Sequence, residues 1–355
     1  MAAPTPEEEW LSAVDAAWLR MDRPTNLMMI CGMMMLDGHV ALERLKDIIR
    51  TRMLCIHRFR QRVAGTASRP RWEFDPHFDL DWHVRRIAPG EATLEEVTSD
   101  LISTGLDRTR PMWQWHLVDG PHGSTLIMRI HHCYGDGFAM LHVVEAITDL
   151  SARIARLPPG DLEGADAGLS AVERVLGPAA ATLGDALRAA AALADAGADL
   201  LRHPGNALAA GTSAASLLYQ AGAIAAMTPD SPTCLKVELG AMKRVAWAAP
   251  LPLAEVKGLA CALGCSVNDV LVACVTAALR TYLLERGDAV DGKDVRALVP
   301  VNLRPPGPIS ELGNRFGLVF LDLPLSIAHP LTRVSAVHRR ILALKQSQQA
   351  IVAFA

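Results

Sequence analysis

"RIHHCYGDGFAM", Arg129 to Met140, sets two histidines side by side and, after three intervening residues, an Asp-Gly pair. The residues before it, "STLIMRIHH" (124–132), read as a strand. With "WQWHLVDG" (113–120) they form a β-hairpin turning around Asp-Gly-Pro-His-Gly. The residues after it, "GFAMLHVVEAITDLSARI" (137–154), have helical spacing. Successive side chains of a strand point to opposite faces. Leu126, Met128, Ile130 and His132 therefore share one face, and Ile127, Arg129 and His131 the other. His132 prolongs an apolar row, where desolvation lowers its pKa and keeps it neutral near pH 7. A neutral imidazole can accept a proton, as a general base must. The competing reading is a core histidine satisfied by a backbone carbonyl. Asp136 and Gly137 can equally be a turn-forming pair.

The same period changes continue along the chain. "WLSAVDAAWLRMDRP" (10–24) predicts a short helix capped by Ser12 and closed by Pro24. "NLMMICGMMMLDG" (26–38) predicts a buried strand and turn. Residues 40–56 predict a helix, 71–87 an alternating exposed-face strand, and 93–107 a helix. From 157 to 231 Ala, Gly, Leu and Asp dominate, which suggests a helical bridge between two halves or an amphipathic element that touches lipid. Beyond it, 236–250 predicts one or two strands and 253–264 a helix. A long helix capped by Ser266 follows, then strands at 295–305 and 314–325. Strands and helices mix in both halves, so the class is α/β or α+β. The predicted divisions are 1–156, 157–231 and 232–355.

Composition excludes several functions. The chain has 355 residues, 50% hydrophobic and 21% charged, with a net charge of -3. No overall basic field exists to attract nucleic acid. The seven cysteines form no CxxC pair, so neither a zinc ribbon nor a disulfide framework is expected, and a reducing cytosol fits best. The acidic start, "MAAPTPEEEW", lacks the order of a signal peptide. No uninterrupted apolar run reaches the ~18–20 residues of a membrane span. A soluble protein, or one lying on a membrane surface, is expected. The spacing argues against metal at the two histidines and Asp136, because adjacent strand residues diverge. No G-x-S-x-G elbow supports a serine hydrolase.

"HHCYGDG" fits the HHxxxDG motif of the chloramphenicol acetyltransferase-like, CoA-dependent acyltransferases. Four further stretches narrow the match: "LDRTRPMWQWHLVDG" (106–120), "SVNDVLVACV" (266–275), "VPVNLRP" (299–305) and "LGNRFGLVFLDLP" (312–324). With the opening "LSAVDAAWLRMDRPTNLMMICGMMML" (11–36), they resemble the bacterial wax ester synthase/acyl-CoA:diacylglycerol acyltransferase family. That resemblance implies two domains of mixed sheets flanked by helices, with a channel between them carrying His132. His132 would deprotonate the hydroxyl of diacylglycerol or a fatty alcohol for attack on acyl-CoA, with His131 supporting. Asp136 would hold the loop through an arginine, with Arg304 a candidate, and Gly137 would permit a close turn. Asn268 would stabilise the oxyanion, or merely occupy the first turn of a helix. Pro111 and Trp113 match the family's Pro-Leu-Trp element, with Met112 in place of Leu, and are expected to shape packing or the acyl channel; Asn314 is expected near the site. No metal or organic cofactor is implied, acyl-CoA being a substrate. The implied location is the cytoplasm, with contact to the inner membrane or lipid inclusions. Family members usually continue well past the "GNRFG" region, so an incomplete second domain is expected. Two rivals stand beside this reading: an acyltransferase or condensation enzyme with another acceptor, and a non-catalytic lipid- or acyl-CoA-binding protein.

Overall fold

A computed structural model describes residues 9–66, 69–149, 230–304, 312–314 and 316–346. The chain divides into two units. One comprises Met1–Gly164, Leu239–Trp247 and Pro308–Asn314; the other comprises Ala165–Glu238, Ala248–Gly307 and Arg315–Ala355.

The first unit contains β1 (Glu9–Trp10), α1 (Ala13–Met21), β2 (Met29–Met35), α2 (Leu42–Ile48), β3 (Gln61–Thr66) and β4 (Arg69–Phe74). It continues with α3 (Leu80–His83), β5 (Val84–Ile87), α4 (Leu94–Ser103), β6 (Trp113–Asp119), β7 (Ser124–His131) and α5 (Gly137–Ile147). The central sheet has the order β2-β7-β6-β5. Its members pair antiparallel except β5, which runs parallel to β6. A smaller sheet has the order β1-β4-β3.

Alternation on the hairpin separates two cores. Trp113, Trp115 and Leu117 of β6 lie opposite Ile130, Met128 and Leu126 of β7. All six join the main cluster with Ala139, Met140 and Val143 of α5. Ile127 faces the other way and packs with Val118 and with Val97 of α4. The strand parity predicted for 124–131 is what sorts these side chains. Helix starts also follow the sequence: the Ser12 hydroxyl accepts from Asp15 N, and Thr93 with Glu96 forms a capping box on α4.

The second unit contains α6 (Leu253–Ala262), α7 (Val267–Glu285), β8 (Val295–Asn302), β9 (Phe316–Leu323) and α8 (Pro330–Lys345). Ser266 and Asp269 form the capping box of α7. β8 and β9 pair antiparallel. Ala273, Leu321, Leu323, Val337 and Ile341 form a core beneath the two helices. α7 is the one described helix long and apolar enough to cross a membrane by length and composition. It packs Ala273 against α8 and β9 with 28% of its apolar window buried, and leaves Leu271 and Val275 exposed.

Several expectations need correcting. Residues 71–87 are not one strand. β4 stops at Phe74, Asp75 begins a turn whose Oδ1 accepts from His77 N, and α3 intervenes before β5. Residues 236–250 form no strand. Their backbone bonds go to hydroxyls of α4 instead: Lys243 N donates to Ser103 Oγ at 2.7 Å and Val245 N to Ser99 Oγ at 2.9 Å. β2 is half-buried rather than buried. The bridge at 157–231 lies outside the described residues, save for 230–231.

Candidate active site

β7 ends at His131, and His132 to Tyr134 form a single 3₁₀ turn. The turn is fastened from several sides. His131 N donates to Met112 O at 2.9 Å, and His132 N to Met28 O at 2.8 Å. The Tyr134 hydroxyl donates to Gln61 O and accepts from Met112 N, at 2.7 and 3.0 Å. Asp136 then caps α5, its Oδ1 accepting from Ala139 N at 3.0 Å.

The two imidazoles meet different surroundings. His131 is 2% exposed. Its Nδ1 accepts from Cys133 N at 3.1 Å, and its Nε2 lies 3.8 Å from Asp22 Oδ2. Burial pushes its pKa down to about 4, against the pull of Asp22. It is a sealed, neutral ring. His132 is half-buried and stacks on Trp18 of α1, with centroids 4.1 Å apart and planes 15° apart. Burial also lowers its pKa, opposed by hydrogen bonds and by the charges of Asp136 and Asp15. Near pH 7 it is therefore uncharged and able to take a proton.

Asn314 stands beside this ring, within the first unit. Its Oδ1 lies 3.1 Å from His132 Nδ1. Its Nδ2 donates to Asp15 Oδ1 and to His132 O, both at 2.7 Å. The preceding Gly313 has φ +121°, which favours glycine, and its N–H donates to Tyr134 O at 3.1 Å.

His131, His132, Asp136, Gly137 and Asn314 thus come together in the first unit. Asn268 and Arg304 belong to the second. Asn268 is exposed on the first turn of α7, and Arg304 is 8% exposed. Of the two roles expected for Pro111 and Trp113, packing is the one their burial fits. Both are buried; Trp113 is 0% exposed, and its indole N–H donates to Phe59 O at 2.8 Å. They belong to the core under the histidine turn, which the intervening Met112 backbone braces. Sequence reasoning gave no site role to Asp15, Trp18 or Tyr134. Asp15 is an acid in the first turn of α1, and its burial at 7% exposure is a signal that only the structure carries.

Gly137 is not the glycine the turn requires. It opens α5, and a Cβ there would meet nothing within 4 Å. At Gly135 a Cβ would sit 2.8 Å from Ala139 Cβ and 3.2 Å from Met140 Cε. Gly135→Ala is expected to cost about 1–3 kcal/mol through overpacking, and Gly137→Ala less than about 0.5 kcal/mol. Urea unfolding midpoints measure both. Equal midpoints for the two variants would refute this assignment.

Three buried histidines tie stability to pH. Desolvation lowers His83, His116 and His131 to about 4. An unfolded histidine titrates near 6.5, so below that value the unfolded chain binds more protons. Stability is expected to be full above pH ~6.5 and to fall as the pH drops towards 4. The loss is on the order of 1–2 kcal/mol per ring by pH 5. Denaturant midpoints at pH 7.5 and 5 give the check; a midpoint that rises on acidification refutes it.

The family model described as "Wax ester synthase/diacylglycerol acyltransferase catalytic domain" matches residues 11–271. The model described as "WS/DGAT C-terminal domain" matches 312–355. A Mycobacterium tuberculosis protein named a probable diacylglycerol O-acyltransferase, tgs1, is 28% identical over 96% of this chain and 72% of its own length. The wax ester synthase/diacylglycerol acyltransferase from Marinobacter aquaeolei VT8 has a similar fold. Its TM-score is 0.58 at 21% identity, over 95% of this chain and 72% of that one. The first condensation domain of the calcium-dependent antibiotic synthetase, solved with a substrate analogue, shares the fold too. Its TM-score is 0.61 at 16% identity, over 97% of this chain and 76% of that one.

Proposed function

The chain belongs to the wax ester synthase/diacylglycerol acyltransferase family and is an acyltransferase; we propose that it moves a fatty acyl group from acyl-CoA to diacylglycerol or a long-chain alcohol, with His132 as general base. His132 takes the proton of the acceptor hydroxyl as its oxygen attacks the thioester carbonyl. The tetrahedral intermediate collapses with cleavage of the C–S bond. The imidazolium then returns its proton to the departing thiolate, so ester and free CoA form with no covalent acyl-enzyme.

One observation carries the choice of residue. Of the two adjacent histidines, His131 is sealed and His132 is half-exposed with its basicity lowered by burial. The decisive experiment supplies labelled acyl-CoA with hexadecanol or diacylglycerol and separates products by thin-layer chromatography. Labelled wax ester or triacylglycerol is expected, matched by thiol release. Acyl-CoA binding without turnover, or hydrolysis to free fatty acid alone, would overturn the reading. Thiol release across amines and short alcohols distinguishes an acyltransferase with another acceptor.

A further inference from the structure

Asp15 sits in the first turn of α1, and Asn314 lies 299 residues away from it in sequence. The partners of the Asn314 amide settle its orientation by chemistry alone. Nδ2 faces a carboxylate oxygen and the carbonyl of His132. The carbonyl oxygen can only accept, and a primary amide nitrogen has two hydrogens to give. Both are thereby used. The Oδ1 atom must then face the imidazole, and an amide oxygen can only accept. The hydrogen on the ring therefore lies on Nδ1, a choice that a hydrogen bond to the residue's own backbone also supports. A neutral imidazole carries one N–H, so Nε2 holds the lone pair. A flipped amide would turn Nδ2 towards the ring and select the opposite tautomer, and the flip would also set two oxygens against each other at Asp15. Stacking on Trp18 fixes the ring plane.

We propose that Asp15 and Asn314 form a positioning relay that holds His132 in its Nδ1–H tautomer, so that Nε2 presents the lone pair to the acceptor hydroxyl. The relay rests on the reading of His132 as base and adds to it two residues that touch no substrate. Asp15 acts through Asn314, and Asn314 acts through the ring. Among the described residues, the titratable groups facing His132 include Asp15 from α1, Asp136 at the cap of α5 and His131 beside it. In serine proteases the wrong histidine tautomer costs about 10⁴ in kcat. The contact here is a neutral amide rather than a carboxylate, so a smaller loss is expected.

The test combines kinetics with ¹⁵N NMR of the enzyme labelled at histidine. In the wild type, the His132 resonances, assigned by difference from His132→Ala, should show a protonated Nδ1 and an unprotonated Nε2. Asn314→Ala should lower kcat about 10²-fold, with KM for acyl-CoA changed less than about threefold. Asp15→Ala should lower kcat about tenfold, and Asp15→Asn should restore most of it, because an amide oxygen can still accept from Asn314. Asn314→Asp should move the acidic limb of kcat/KM to higher pH, since a carboxylate beside Nδ1 favours the imidazolium. Far-UV dichroism shows that each variant is folded. A wild-type His132 bearing its proton on Nε2 overturns the relay whatever the variants do. So do wild-type kcat values in both alanine variants when His132→Ala is dead, and that result leaves the base standing. Activity retained in His132→Ala overturns base and relay together.

Discussion

His132→Ala is expected to abolish ester formation while acyl-CoA still binds. General acid–base catalysis contributes about 10²–10⁴ in rate, and His132 is assigned both the abstraction and the return of the proton. A loss of about 10³–10⁴ in kcat is therefore expected, equivalent to about 4–5 kcal/mol of transition-state stabilisation. Acyl-CoA affinity should change by less than about twofold. The ring stacks on Trp18 from outside the main cluster, so its removal should cost little stability. His131→Ala should show the reverse pattern. It truncates a sealed ring that accepts from Cys133 N, so the unfolding midpoint should fall, while folded enzyme keeps kcat within about tenfold. Turnover by His132→Ala equal to wild type would remove the mechanism. A larger kcat loss in His131→Ala than in His132→Ala would transfer the role to its neighbour.

Trp113→Ala should be the most destabilising single change. The side chain is 0% exposed, meets Phe59 edge-on, stacks on His83 and donates to Phe59 O. Truncating a buried tryptophan costs about 3–5 kcal/mol, and a domain has only about 5–15 kcal/mol in total. Much of the variant is expected to be unfolded or aggregated at 37 °C. Trp113→Phe keeps most of the apolar volume but leaves Phe59 O without its donor, a loss of about 1–2 kcal/mol. Its preference among acyl-CoA chain lengths should match the wild type. A changed preference with an unchanged midpoint would show that the indole reaches the substrate after all.

These two predictions mark where sequence reading reached and where it stopped. Local signals were legible. Ser12 and Ser266 announced helix starts, and the alternation through Ile130 announced both faces of β7, because capping and pleating act over a few residues. The parity argument put His132 on the desolvated face, but His131 is the sealed ring and His132 the half-buried one. His132 does not extend the apolar row, since the strand has already ended, and its apolar neighbour is Trp18, more than 100 residues earlier. Asn314 was found through its family motif, but its contact with Asp15 was not, because no local pattern encodes a pairing across nearly the whole chain. Gly137 and Gly135 could not be ranked without knowing which one faces Ala139. The run at 236–250 had strand-forming residues, yet the hydroxyls of Ser99 and Ser103 supply the partners that a neighbouring strand would have supplied.

The separation of Asn314 from His132, 182 positions along the polypeptide, has a consequence for biosynthesis. A growing chain leaves the ribosome at about 5–20 residues per second. β6, β7 and the histidine turn are therefore out for roughly ten seconds or more before Asn314 has been translated. Throughout that interval the nascent protein carries its imidazole without the amide that contacts Nδ1 in the finished chain. If the relay holds, a chain that has not yet reached this asparagine is expected to turn over as slowly as Asn314→Ala, which restrains the chemistry of unfinished chains.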